Sequence, residues 1–201
     1  MTWRGNGPGD AQGIFLRRFD ASGLPQGGES RVNETIAGTQ SMPDIAMQRA
    51  GRHVVAWDGN GAGDDAGVFA RRYSHTGQAI GGEIPVNASA LGSQSRPAVA
   101  MMPDGGFVVA WQGAGPGDDA GIFLRRFDEF GTPHAGEVLV NTASAGSQAV
   151  PAVAIGLGGE IRVVWEGRGE GDDFGVFARA FARPDRVHRA GFEPLDGDCP
   201  S

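Results

Sequence analysis

The chain has 201 residues, a formal net charge of −7 and 40 % hydrophobic residues, and it is rich in glycine (35) and proline (12). The apolar content suffices for a packed core and the glycines do not recur at every third position, which excludes a disordered linker and a collagen-like chain. The acidic charge and the absence of lysine argue against a nucleic-acid partner, and no apolar run approaches the roughly 18 residues of a membrane span.

An internal repeat of 54 residues dominates the sequence, as the even spacing of its four tryptophans shows. An uninterrupted period of this length predicts one structural unit per repeat. We expect units starting near residues 3, 57, 111 and 165, a repeat domain over 1–181, and a non-repeat tail over 182–201. The residues that recur at the 54-residue interval are Trp3, Trp57, Trp111 and Trp165; Asp10, Asp64, Asp118 and Asp172; Arg17, Arg71, Arg125 and Arg179; Glu29, Glu83 and Glu137; Asn33, Asn87 and Asn141; Gln40, Gln94 and Gln148; and Pro43, Pro97 and Pro151.

Each unit is predicted to contain four short strands. In the unit that contains Trp111 they cover 98–101, 107–111, 121–127 and 137–140, with turn residues between them. Short strands separated by turn chemistry, with no helical period, are typical of an all-β protein.

The four strands differ in the burial that their residues predict. The first two are apolar on both faces, which is typical of a sheet covered on both sides. The fourth contains Pro85, and proline is confined to sheet edges because it has no N–H. We therefore predict a β-propeller-like array of four-stranded antiparallel blades. A solenoid is the alternative, but this sequence lacks the shorter period of one turn per coil that a solenoid has.

The strand count is about 13, or about three blades, whereas propellers typically have four to eight. We therefore expect an incomplete array, either part of a longer repeat protein or a homo-oligomer in which several chains complete the ring.

The glycine-rich segment after each tryptophan is the main candidate site. In residues 57–67, alternating glycines surround two aspartates, and Ca²⁺ prefers such oxygen ligands. The spacing differs from that of an EF-hand loop. The candidate metal ligands are Asp10, Asp64, Asp65, Asp118, Asp119, Asp172 and Asp173.

A structural role for these aspartates is the preferred interpretation. Arg71 shares strand parity with Phe69 and Tyr73, so it is expected to lie among aromatic rings and to need a carboxylate partner. We predict pairs between the loop aspartates and Arg17, Arg71, Arg125 and Arg179, with no cofactor. The recurring Asn and Gln residues are expected to satisfy backbone groups in turns.

The unit from Gly67 to Trp111 resembles a tandem repeat of large bacterial secreted and surface proteins, of the adhesin-like and haemolysin-type calcium-associated kind. The run Ala190-Gly191-Phe192-Glu193 resembles a C-terminal signature of exported proteobacterial proteins. This resemblance implies an extracellular or cell-surface location and no catalytic activity, although no export signal precedes Trp3. The lone Cys199 allows no intrachain disulfide.

The leading functional prediction is a non-enzymatic module for adhesion or scaffolding that binds a protein or glycan through its blade loops. The first alternative is a calcium-stabilised carbohydrate-binding propeller. A fragment of a sialidase-like hydrolase is the second, although the residues Asp65-x-Gly67-x-Phe69 lack the Ser and Trp of an Asp-box.

Overall fold

A computed structural model describes residues 1–169 and 171–182, which form fourteen β-strands. The strands are β1 (Thr2–Gly7), β2 (Asp10–Leu16), β3 (Ser30–Arg31), β4 (Gln40–Met47), β5 (His53–Gly61), β6 (Asp64–Tyr73), β7 (Ala79–Pro85), β8 (Gln94–Met101), β9 (Phe107–Gly115), β10 (Asp118–Phe127), β11 (Val138–Leu139), β12 (Gln148–Ile155), β13 (Ile161–Gly169) and β14 (Asp172–Phe181). None of the residues in these ranges forms a helix long and apolar enough to cross a membrane.

The strands form four antiparallel sheets arranged as in a β-propeller, which confirms the predicted all-β fold class. The first sheet is β1–β3, the second β4–β7, the third β8–β11 and the fourth β12–β14. The proline-containing strands β4, β8 and β12 form the inner edge of the array, where β8 contacts both β4 and β12. Strands β3, β7 and β11 lie at the opposite edge, and Pro85 ends β7 as the edge prediction requires.

The repeat places different side chains on the two faces of each sheet. One face carries the tryptophan and a phenylalanine, such as Trp57 and Phe69, whose ring centroids lie 6.2 Å apart. The other carries small aliphatic side chains, such as Val68 and Ala70. We call these the aromatic face and the aliphatic face. The aliphatic face of each of the first three sheets packs against the aromatic face of the sheet that follows it, so the core is divided among three interfaces.

The glycine-rich segment is not the loop that the sequence predicts. Strand β5 continues to Gly61 and β6 begins at Asp64, so a two-residue turn joins them. A Cβ atom on Gly61 would lie 2.2 Å from Cζ of Phe69, and Gly7, Gly115 and Gly169 meet the ring of the corresponding phenylalanine in the same way. The repeated glycines therefore provide room for an aromatic ring.

The terminal sheets contain three described strands each. The observed strand count of fourteen is close to the predicted 13, and two four-stranded sheets lie between the three-stranded ones. Residues Glu170, Cys199 and nearly all of the predicted tail lie outside the described residues.

The substitution Gly61→Ala tests the packing role of this glycine. We expect a loss of about 1–3 kcal/mol in the free energy of unfolding, because the added methyl group must displace the ring of Phe69. Gly136→Ala is the control, since a Cβ there meets nothing within 4 Å and the backbone φ is not positive. Chemical denaturation of both variants checks this, and equal stabilities would contradict the packing explanation.

One aromatic stack of the core contains a histidine. The rings of His53 and Tyr73 are nearly parallel, with centroids 5.0 Å apart, and Phe107 and Phe127 form the corresponding stack in the third sheet. Burial lowers the pKa of His53 from its ordinary value of 6.5 and raises the pKa of Tyr73 to about 12. His53 therefore prefers the neutral form in the folded chain.

This burial predicts acid sensitivity. Below about pH 6.5 the unfolded chain binds a proton at His53 more readily than the folded chain does, so the free energy of unfolding falls as the pH is lowered. The stabilising contribution is complete above that pH. His53→Phe, which reproduces the Phe107–Phe127 stack, is expected to reduce the difference in thermal midpoint between pH 7.5 and pH 5.5. An unchanged difference would contradict this role.

Candidate functional site

Three of the repeated aspartates, Asp10, Asp64 and Asp118, lie beside the hairpin turn in a largely buried hydrogen-bond network. Asp64 Oδ1 accepts a hydrogen bond from the backbone N–H of Ala66 (3.0 Å), and Oδ2 accepts one from Asn87 Nδ2 (2.7 Å). Asp10 and Asp118 make the same contacts in their own sheets. Asp172 is exposed and accepts from the N–H of Phe174.

The recurring Asn and Gln continue this network. Asn87 Oδ1 accepts from the N–H of Val68 (2.7 Å), and Asn87 Nδ2 lies 3.3 Å from Gln94 Oε1. Gln94 Nε2 donates to the carbonyls of Leu91 and Ala114 (2.9 Å each). The prediction that these amides satisfy backbone groups is confirmed, and they join the hairpin of one sheet to the first two strands of the next.

The second aspartates lie at the exposed tips of the hairpins. Asp65 Oδ1 accepts from Asn60 Nδ2 (3.3 Å), and Asp173 pairs with Arg168 (2.7 Å). Asp119 lines a shallow cleft of about 420 Å³ together with Asp118 and Ser144.

The hairpin oxygens are poorly arranged for calcium, which needs six to eight converging ligands. Both carboxylate oxygens of Asp64 already accept hydrogen bonds. In the part of the chain that the structure describes, no group of three or more His, Cys, Asp or Glu side chains could hold a metal ion. Calcium binding stays a prediction that these contacts do not favour.

The repeated arginines bind neighbouring sheets, and the predicted Asp–Arg pairs are wrong in their partners. Arg125 Nη1 donates to the carbonyl of Val86 in the preceding sheet (2.9 Å), while its guanidinium lies 5.7 Å from the ring centroid of Phe127. Burial lowers the pKa of Arg125, and the charge of Glu137 opposes this shift. The expected stacking on aromatic rings is therefore present, but a backbone carbonyl takes the place of the expected carboxylate.

The same contact recurs in two further sheets. Arg71 Nη1 donates to Val32 O (2.8 Å), and Arg179 Nη1 donates to Val140 O (2.8 Å). Arg71 also forms an ion pair with Glu34 (2.7 Å). In the first sheet, Arg17 Nε donates instead to Gly27 O (3.2 Å). We call the donation of an arginine to a valine carbonyl of the preceding sheet the arginine clamp.

Strained bulges interrupt the three inner strands at one repeat position. Met42, Arg96 and Val150 have φ values of 46°, 51° and 51°, and each precedes the repeated proline at a shift in strand register. Left-handed backbone is costly for residues other than glycine, above all for β-branched valine. Because all three side chains are exposed, the bulges form a row along the inner edge of the array. We call this row the inner-strand bulges.

Two aspartates beside this row differ in residue type from the later repeats, although the contact of one recurs: Gln112 Oε1 accepts from the N–H of Val150 (2.8 Å) as Asp58 does from that of Arg96. Asp44 stands where the later repeats have alanine, and Asp58 stands where they have Gln112 and Glu166. Asp44 Oδ2 accepts from the N–H of Val99, and Asp58 Oδ2 accepts from the N–H of Arg96, both at 2.8 Å. The two carboxylates therefore reach from the same face of the second sheet to the bulged strand of the third.

The inner-strand bulges are the candidate functional site. Strained backbone, two asymmetric carboxylates and an exposed guanidinium meet where neighbouring inner strands contact, and strain of this kind clusters at functional sites. Asp44 and Asp58 are absent from the predicted site residues, because those were chosen among residues that recur at the 54-residue interval. Their departure from the repeat was the signal that could have identified them.

Comparisons with known proteins show the fold. A scan of family models finds no match, and a search of curated proteins finds none either. Among solved structures, an endo-arabinase from Bacteroides thetaiotaomicron is 9 % identical, with a TM-score of 0.50 over 88 % of this chain and 68 % of that one. A protein of unknown function from Dyadobacter fermentans is 11 % identical, with a TM-score of 0.50 over 78 % of this chain and 54 % of that one.

A further solved structure with a similar fold is a GH43 endo-arabinanase from Bacillus licheniformis. It is 12 % identical, with a TM-score of 0.45 over 90 % of this chain and 68 % of its own. The likeness to the endo-arabinase from Bacteroides thetaiotaomicron corrects two predictions from the sequence, the non-enzymatic adhesion or scaffolding module and the absence of enzymatic activity. The array shares its fold with that enzyme.

Replacing Arg125 with methionine tests the arginine clamp. The variant keeps most of the apolar stem but leaves the carbonyl of Val86 without its charged donor, so we expect a loss of about 1–3 kcal/mol in the free energy of unfolding. Arg49→Met is the control, because Arg49 is exposed in a turn. Urea denaturation of both variants measures the effect, and a control loss as large as that of Arg125→Met would contradict the clamp.

Proposed function

We propose that the chain is a carbohydrate-directed propeller module that binds a polysaccharide along the inner-strand bulges. The observation that carries this proposal is the combination of strained bulges and symmetry-breaking polar residues at one place of a repeat array. Residues that only stabilise the array can recur unchanged in every repeat. A site that binds one ligand at one place needs residues that differ between repeats.

Two features of the bulge row suit a sugar chain. Arg96 is exposed and can donate several hydrogen bonds to hydroxyl groups. Met42 and Val150 flank it at equivalent positions and offer apolar contact to the faces of sugar rings. The row therefore combines an extended apolar surface with a few polar groups, as ligand sites generally do.

Likeness of fold supports carbohydrate as the ligand class. The endo-arabinase from Bacteroides thetaiotaomicron has a similar fold over 88 % of this chain. We take arabinan as the first probe on that ground, with other plant and bacterial polysaccharides as the comparison set.

Hydrolysis of the bound glycan is a second candidate function, favoured by Asp44 and Asp58. Glycoside hydrolysis generally uses two carboxyl groups, one as the acid that protonates the leaving oxygen and the other as base or nucleophile. Asp44 and Asp58 lie on one face of the same sheet, beside the bulge row. All four of their carboxylate oxygens accept hydrogen bonds, from Ile45, Val99, Ser41 and Arg96, so a bound sugar must displace some of these contacts before either carboxyl group can act. In this candidate function, each serves as one of the two carboxyl groups.

The proposed setting is extracellular or at the cell surface. Polysaccharides of this kind lie outside cells, and the resemblance of the repeat to those of secreted bacterial proteins agrees with that location. The proposal includes no resident metal, because the network aspartates already use their oxygens. Thermal midpoints with and without millimolar calcium test that part, and a calcium-dependent rise would overturn it.

Binding to linear arabinan and to a glycan array tests the main proposal. We expect saturable binding by the wild-type chain and at least a tenfold loss of affinity in Arg96→Ala, because the exposed guanidinium is lost from the row. Arg49→Ala removes an exposed arginine from a turn beyond the other end of β4 and should bind as the wild type does. No binding to any glycan, or equal affinities for the two variants, would contradict the proposal.

Release of reducing sugar from the same glycans tests the second candidate function. Asp44→Asn and Asp58→Asn are expected to lower kcat by a factor of 10² or more while leaving glycan binding in place. Asp104→Asn, in the turn between β8 and β9, is the control. Release that persists in both Asp44→Asn and Asp58→Asn would exclude these carboxylates, and no release by the wild type would exclude hydrolysis of the glycans tested.

A further inference from the structure

The two ends of the sheet array present complementary faces that the described residues leave uncovered. The fourth sheet ends the array with its aliphatic face, on which Val164 is 39 % and Val176 is 79 % exposed. The corresponding residues of the third sheet, Ala110 and Ile122, are 0 % exposed. The difference arises because the fourth sheet covers the third, whereas no described sheet covers the fourth.

The first sheet begins the array with the opposite face. Trp3 lies on its aromatic face and is partly exposed, whereas Trp57 and Trp111 are fully buried against a preceding sheet. The two end faces are therefore of the kinds that pack together at the three internal interfaces.

The aliphatic end face presents apolar side chains from both β13 and β14. This face continues toward the hairpin tip with Phe174, which is 96 % exposed. Burial of such side chains is worth about 1.5–3 kcal/mol each.

We propose that the aliphatic end face binds the aromatic end face of a second copy of this chain, head to tail. Such a contact would continue the packing within the chain, where the same two kinds of face already meet at three interfaces. Two copies supply eight sheets, which lies within the four to eight blades that propellers typically contain. A head-to-tail contact that closes after two copies gives a two-fold symmetric ring with two equivalent interfaces. This inference does not depend on the proposed carbohydrate ligand.

One feature of the repeat limits the strength of this interface. Arg18 and Arg72 each donate to a carbonyl in a turn of the following sheet, that of Thr76 and that of Glu129. Ala180 occupies the corresponding position in the fourth sheet. The terminal interface therefore lacks an arginine that the internal interfaces have, and the two-chain assembly is expected to dissociate at low concentration.

Mass measurement by sedimentation over a range of concentrations tests the proposal. We expect the wild type to form a species of two chains, and Val176→Arg to be a folded monomer because it places a charge in the buried interface. Leu157→Arg changes a fully exposed apolar residue in the turn before β13 and should leave the assembly intact. A wild type that is monomeric at every concentration, or a Val176→Arg variant that still pairs, would overturn the proposal.

Two further variants separate a head-to-tail contact from other arrangements. Trp3→Glu alone should also be monomeric, but mixed with Val176→Arg it should form a two-chain species, because each variant keeps one intact face. Ala180→Arg supplies the missing donor and should lower the dissociation constant. Pairing of Trp3→Glu with itself would indicate contact between two aliphatic faces and would overturn the head-to-tail arrangement, as would failure of the mixture to pair. Melting curves with a wild-type cooperative transition establish that each variant is folded.

Discussion

The arginine clamp is the contact on which the sheet array depends. An arginine such as Arg125 stacks on a ring of its own sheet and donates to a valine carbonyl of the preceding sheet, which fixes the position of one unit against the last. Because the arginine donates to the backbone carbonyl of the valine, the valine side chain remains packed in the core. The aromatic and aliphatic faces then meet in register, and the repeat period of 54 residues sets the same geometry at every interface.

Much of the fold follows from residues that a reader of the sequence can identify. The tryptophan spacing indicates the unit, and the proline in the fourth strand identifies the outer edge. The partner of Arg125 could not be predicted, because strand parity shows that an arginine lies beside a ring but not which neighbouring sheet offers an acceptor. The glycines were open to misinterpretation for a similar reason, since a residue such as Gly61 makes room for a ring that lies eight positions later in the chain.

The candidate site illustrates a different limit of sequence analysis. Recurring polar residues such as Asp64 and Asn87 attract attention, yet their hydrogen bonds serve the scaffold. Asp44 and Asp58 occur once each and gain significance only when the fold places both of them against the bulged strand of the third sheet. In a repeat protein, recurrence therefore identifies what holds the array together, and departures from it identify where a ligand site is to be sought.

The repeated polar residues are structural and join each hairpin to its neighbours. Hydrogen exchange measured residue by residue tests this role at the amides of Val68 and Ile122, whose acceptors are the Asn87 and Asn141 side chains. We expect these two amides to exchange as slowly as those paired within the strands of the second and third sheets. Rapid exchange at both, with slow exchange in the surrounding strands, would contradict it.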